Sequence, residues 1–99
     1  MRRPPYGLVV RARTFLSECY VPKLDEAAAS ALSSRLQATI ADLTADGLAL
    51  RWLRGLALLD EETYVWMVSA PDADHVVLVN RRAGIAYDHV VEVVAAESV

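Results

Sequence analysis

Two stretches with helical periodicity interrupt four stretches rich in β-forming residues, and this alternation limits the folds available to the chain. In the first helical stretch, residues 25–46, apolar side chains recur every three or four positions and therefore share one face of a helix. Those positions are Leu32, Leu36, Ile40 and Leu43. Asp25 has the residue type preferred at a helix N-cap, and Gly47 favours termination.

A shorter helix is predicted over residues 72–83, although its middle contains many valines. Asp72 follows Pro71 as a predicted N-cap, and Gly84 favours a stop at the other end. The valine-rich run 76–79 by itself favours a strand, because β-branched side chains lose rotamer freedom in a helix. The capping residues at both ends favour the helix.

Four further segments are rich in β-branched and aromatic residues, as β-strands are. They are residues 14–21, 48–59, 63–70 and 87–94. The acidic residues 60–62 join the middle two as a hairpin, and Gly55 predicts a bulge or a close backbone approach. The resulting order β-α-β-β-α-β predicts a ferredoxin-like α+β fold. Two helices then cover one face of a four-stranded antiparallel sheet, with the strands in the order fourth, first, third, second.

The composition excludes several classes of protein. The 99 residues fit a single domain, and an apolar content of 55% indicates a globular rather than a disordered chain. A net charge of −3 argues against binding to nucleic acid. The single cysteine, Cys19, excludes an internal disulfide and is typical of a cytoplasmic protein. The apolar runs are too short to span a membrane, so we expect no membrane partner.

Charge is distributed unevenly along the chain. Residues 1–13 contain four arginines and no acidic residue, and with two prolines and a glycine they are predicted to form a flexible basic arm. The ferredoxin-like domain is predicted over residues 14–94. Residues 95–99 are predicted to be a C-terminal tail.

Both faces of the predicted sheet are apolar. On the third strand Tyr64, Trp66 and Val68 point to one face. Val65 and Met67 point to the other, and the two helices of this fold cover only one face and leave the second open. A second copy would shield that face from water, and a symmetric dimer is the commonest assembly. We therefore expect a homodimer that forms through the sheet.

Two histidines, a cysteine and a carboxylate make up the candidate metal site. They are Glu18, Cys19, His75 and His89. The first and third strands are expected to run parallel, side by side. His75 at the start of the second helix then lies near the end of the first strand, as does His89. Imidazole, carboxylate and thiolate groups suit divalent nickel, zinc or copper. We therefore expect a small ligand-binding protein that holds such a metal ion at one end of the fold.

The same residues also have structural interpretations. Histidines in these positions are commonly solvated or hydrogen-bonded, and a free cysteine such as Cys19 usually packs as a small apolar residue. Glu18 needs a partner if a dimer buries it, and Arg51 or Arg54 could supply one. Glu18 could instead act as a general base.

An enzyme is the alternative function. Dimeric α+β barrels of this fold often hold an apolar cavity in which a small substrate is oxidised, isomerised or cyclised, an inference that rests on analogy of fold. Glu18 or His89 would then be the base, and three aromatic side chains would line the pocket. They are Trp52, Tyr64 and Trp66. A dimerisation or regulatory module without a ligand is the third hypothesis.

Several segments resemble a family of small bacterial ferredoxin-like domains that is largely uncharacterised and includes a nickel-binding member. The resemblance covers residues 14–94. Its landmarks are Phe15-Leu-Ser-Glu-Cys-Tyr-Val-Pro-Lys-Leu-Asp25, Leu50-Arg51-Trp52-Leu53, Ala70-Pro71, Asn80-Arg81-Arg82-Ala83-Gly84 and Tyr87-Asp88-His89-Val90. The resemblance implies the ferredoxin-like fold, a homodimer, and nickel or another transition metal as a ligand.

Overall fold

The computed structural model describes residues 12–96, and it confirms the order β-α-β-β-α-β. The elements are β1 (Arg13–Tyr20), α1 (Glu26–Ala45), β2 (Arg51–Leu58), β3 (Thr63–Ala70), α2 (Ala73–Ala83) and β4 (His89–Val93). A single 3₁₀ turn, Leu59–Glu61, joins β2 to β3. Residues 1–11 of the predicted basic arm (1–13) and residues 97–99 of the predicted tail lie outside the described part of the chain, and Arg13 begins β1. No helix within residues 12–96 is long and apolar enough to cross a membrane.

The sheet has the predicted strand order, β2-β3-β1-β4, and every neighbouring pair is antiparallel. The expectation that β1 and β3 run parallel is therefore wrong. β1 and β2 are joined by a helix and run in the same direction, and β3 lies between them. Because β3 returns from β2 through a short turn, it must run opposite to both of its neighbours.

Both predicted N-caps are present. The Asp25 carboxylate accepts a hydrogen bond from the Ala28 backbone at 2.8 Å, and Asp72 accepts one from the His75 backbone at 3.0 Å. At the end of α2, Gly84 has a φ of +71°, the left-handed conformation in which glycine avoids a steric penalty. The caps define the ends of α2, so the valine-rich run is helical. The buried side of this run faces the sheet.

Gly55 on β2 marks a close backbone approach, one of the two alternatives that the sequence left open. A Cβ atom there would lie 2.5 Å from the Tyr64 hydroxyl and 2.7 Å from the Ser33 hydroxyl. These two hydroxyls are themselves 2.5 Å apart in a hydrogen bond between sheet and helix. The bulge of β2 lies at residues 52–54 instead.

We expect Gly55→Ala to destabilise the fold by about 1–3 kcal/mol, because the new methyl group overpacks this contact. Urea unfolding measures the change. In a Tyr64→Phe background the nearest clashing atom is gone, so the same substitution should cost less. An equal cost in both backgrounds would contradict the close approach.

The core lies between the sheet and the two helices. It contains large side chains that face the helices from β1 and β3, chiefly Phe15, Tyr64, Trp66 and Val68. Trp52 of β2 stacks on Trp66 with ring centroids 6.0 Å apart. No helix of residues 12–96 covers the opposite side of the sheet, which we call the open face. Strand register places on it, among others, Leu16, Glu18, Arg51, Arg54, Leu56, Leu58, Val65, Met67, His89 and Val91.

Candidate functional site

Glu18 and His89 face each other across neighbouring strands on the open face. They are directly paired in the register of β1 with β4. The side chain of Glu18 is half-buried, and that of His89 is exposed. Directly paired residues on one face of a sheet have Cβ atoms about 5 Å apart. The two side chains can therefore act together on one ligand.

Asp88 fixes the position of this pair. Its backbone N–H donates to the Glu18 carbonyl oxygen at 2.8 Å, and its carboxylate accepts from the Tyr20 backbone N–H at 2.9 Å. The start of β4 is thereby held against the end of β1. Sequence reasoning missed this role. An aspartate directly before a strand is the signal that could have revealed it, because aspartate readily bonds to nearby backbone groups.

Cys19 lies on the opposite side of the sheet from Glu18. Successive side chains of a strand alternate between faces, so residue 19 points into the core, where it is completely buried. Burial raises the pKa of the Cys19 thiol to about 11, so the thiol is protonated and uncharged at neutral pH. The position agrees with the interpretation of Cys19 as a small packed residue.

His75 lies at the other end of the sheet from His89. It is in the first turn of α2, which follows the end of β3, and Ala70 at that end pairs with Arg13 at the start of β1. The His75 ring Nδ1 is 2.6 Å from Asp72, the residue that caps the same helix. The prediction that Glu18, Cys19, His75 and His89 gather at one end is therefore wrong, because it rested on parallel central strands.

The contact between His75 and Asp72 makes helix α2 sensitive to acid. Hydrogen bonds from the side chain and the backbone of His75 lower the pKa of Asp72. A lowered folded-state pKa stabilises the protein above the unfolded pKa of about 4, and this contribution is lost as the pH falls through the folded value.

We expect the stability difference between the wild type and Asp72→Asn to be largest near neutral pH and to shrink below about pH 4. Urea unfolding from pH 7 to pH 3 measures it. Asp74→Asn, a change in an exposed residue of the same helical turn, is the matched control and should show a smaller dependence. A difference that stays constant over this range would contradict the role of Asp72.

The three aromatic residues predicted to line a pocket pack between sheet and helices. Tyr64 and Trp66 are buried, and Trp52 is half-buried against Trp66. Burial raises the pKa of the Tyr64 hydroxyl. None of the three lines the two surface grooves described below. Their role in a pocket stays a prediction.

A polar pair that the sequence analysis did not identify lies inside this core. Asn80 of α2 is fully buried, and its side-chain amide donates to the Ser17 hydroxyl at 3.0 Å. Among residues 12–96, the buried Asn80 side-chain oxygen has no hydrogen-bond partner. The helical periodicity that places Val76 on the buried face also places Asn80 there, four residues on.

Grooves open on the surface of the described residues, and two of them adjoin the sheet. The larger, with a volume of about 450 Å³, lies on the open face, and its lining includes Leu16, Leu53 and Met67. The smaller, of about 270 Å³, lies between the end of α1 and the ends of β2 and β3. Within residues 12–96, no three histidine, cysteine or acidic side chains are grouped so that they could hold a metal ion.

Comparison with known proteins extends the description of the fold. No family model matches the chain, and no curated protein matches it significantly. The crystal structure of SCO4226 from Streptomyces coelicolor A3(2) is similar, with a TM-score of 0.72 at 18% sequence identity. The match covers 85% of this chain and 99% of that one. This similarity supports the ferredoxin-like fold. Membership of the family suggested by the sequence motifs stays a prediction.

Proposed function

We propose that the protein is a small homodimeric ligand-binding protein whose two chains pair through the open face. The apolar character of this face supports the proposal. Leu56, Leu58 and Val91 are 48%, 40% and 46% exposed on it. Removing such side chains from water contributes roughly 25 cal/mol for each Å² of apolar surface buried. A face of this kind on a sheet therefore favours association.

A divalent transition metal ion is the proposed ligand, and Glu18 and His89 are its proposed protein ligands. A carboxylate oxygen and an imidazole nitrogen suit borderline ions such as nickel or zinc. Two donors are fewer than the three or four that protein sites of such ions commonly provide. Water molecules or donors of the partner subunit then complete the coordination of the ion.

The cross-strand pairing of Glu18 with His89 on the open face is the single observation that carries the metal proposal. His75 and Cys19 are not part of it, because the first lies at the far end of the sheet and the second in the core. A location in the cytoplasm is proposed as well, on the basis of the single unpaired cysteine.

Native mass spectrometry of the full chain, with and without added nickel or zinc, tests this function. We expect a species of twice the 10.9 kDa chain mass that gains a fixed number of ions per dimer. A dimer that takes up no ion would contradict the metal proposal and leave the dimer standing. A monomer at all concentrations would contradict both.

The groove on the open face supports a second candidate, the binding of a small apolar molecule. Its lining is mainly apolar, and two chains paired through this face would enclose it. An enzyme acting on such a substrate, with Glu18 or His89 as the base, belongs to this candidate. Binding of a fluorescent apolar probe to the dimer, competed by small aromatic compounds, would support it. Absence of probe binding would contradict it.

A further inference from the structure

Glu18 needs a positively charged partner if a second copy covers the open face. Its carboxylate lies on a central strand, with Leu16 and Tyr20 on either side along β1 and Val65 opposite on β3. Removing a carboxylate from water without a partner strongly disfavours association. In the metal-free protein, a dimer of the kind proposed above is therefore stabilised if a cationic side chain of the partner approaches Glu18.

The arginines of the open face are Arg51 and Arg54, both exposed on the edge strand β2. Within residues 12–96 neither forms an ion pair with Glu18. β3 separates them from β1. The register of the strands places Arg54 level with Leu16, which is two residues from Glu18 along β1. It places Arg51 level with Thr14, which is four residues from Glu18. Arg54 is thus the closer candidate.

Symmetry allows two simple ways of stacking this face on its copy. A twofold axis across the strands places β2 over β2 of the partner and brings the arginines of the two chains together, which is unfavourable. A twofold axis parallel to the strands reverses the strand order β2-β3-β1-β4 of the partner relative to that of the first chain. β2 then lies over β4 of the partner, and β3 lies over β1 of the partner. Charge favours the second arrangement.

In that arrangement Arg54 comes close to Glu18 of the partner subunit. The two sheets are stacked about 10 Å apart. Within the plane of the sheets, the two residues are offset by one strand, about 4.8 Å, and by two residues along the strand direction, about 7 Å. The long side chains of arginine and glutamate together span such a separation. A carboxylate has two oxygens, so a salt bridge leaves one of them for a metal ion.

We infer that Arg54 of each chain forms a salt bridge with Glu18 of the partner subunit, and that these two symmetric bridges select the dimer in which β2 lies over β4 of the partner. The inference rests on the proposed dimer and adds its register. It also gives the half-buried Glu18 a role in the metal-free protein.

Mixing two oppositely charged variants tests the inference. Glu18→Arg chains carry only cations at the two positions, and Arg54→Glu chains carry only anions. Each variant alone should dissociate, with a Kd raised more than about 100-fold, because like charges then face each other twice. An equimolar mixture should form a heterodimer, since both bridges are restored between unlike chains. Native mass spectrometry in metal-free buffer separates the three possible pairs by mass.

Several controls keep the outcomes distinct. The double variant Glu18→Arg with Arg54→Glu should recover the homodimer, and Arg51→Glu should change the Kd less than about threefold. Far-UV circular dichroism checks that each variant is folded. The inference would be overturned if either single variant dimerised alone as the wild type does, or if the mixture stayed monomeric. Neither result would contradict the dimer of the wild type. A monomeric wild type would overturn the dimer itself.

Discussion

Leu56→Glu and Val91→Lys should each convert the dimer into a folded monomer. Both side chains are about half exposed in the single chain, so a charge there stays in water and the fold is retained. In the proposed dimer the partner removes the same charge from water. An unpaired buried charge costs several kcal/mol, which predicts a Kd raised more than about 100-fold.

Sedimentation equilibrium across a range of concentrations measures this effect. Ala38→Glu is the matched control, because residue 38 is exposed on α1, away from the open face. It should leave the Kd unchanged within about threefold. Dissociation by Ala38→Glu, or a dimer that tolerates both open-face changes, would place the interface elsewhere on the molecule.

Glu18→Gln and His89→Ala should each abolish stoichiometric uptake of nickel and zinc. Glutamine keeps the size of the side chain but removes the charge that attracts the ion, and alanine removes the imidazole donor. Loss of one of two donors per chain should weaken binding by at least about 100-fold, since transition metals depend on each ligand bond. Isothermal titration calorimetry of the metal-free protein measures the affinity.

His75→Ala is the control for these variants. His75 lies at the opposite end of the sheet and contacts its own helix cap, so its loss should leave metal affinity within about twofold. Equal loss in all three variants would indicate a nonspecific effect. Unchanged binding in Glu18→Gln and His89→Ala would remove the proposed site.

The order of the elements and the ends of the helices were predictable from the sequence, because both depend on local patterns. Asp25, Asp72 and Gly84 act within a few residues of the helix ends that they define. The close approach at Gly55 was predictable as one of two alternatives. Only the three-dimensional contact with Tyr64 and Ser33 shows which alternative holds.

The candidate site was predictable only in part, because it depends on the direction of strands far apart in sequence. Glu18 and His89 become neighbours through the pairing of β1 with β4. His75 was misplaced because β3 was taken as parallel to β1. Cys19 was included although strand alternation places it on the face opposite Glu18, and this error could have been avoided from the sequence.

Isotope-filtered NMR on a dimer mixed from ¹³C-labelled and unlabelled chains tests most directly whether the open face joins two chains. We predict intermolecular contacts from the methyl groups of Leu16, Leu56, Val65 and Val91, and none from the exposed alanines of α1. Intermolecular contacts from α1 with none from the open face would contradict the proposed dimer, as would a labelled mixture that shows no intermolecular contact.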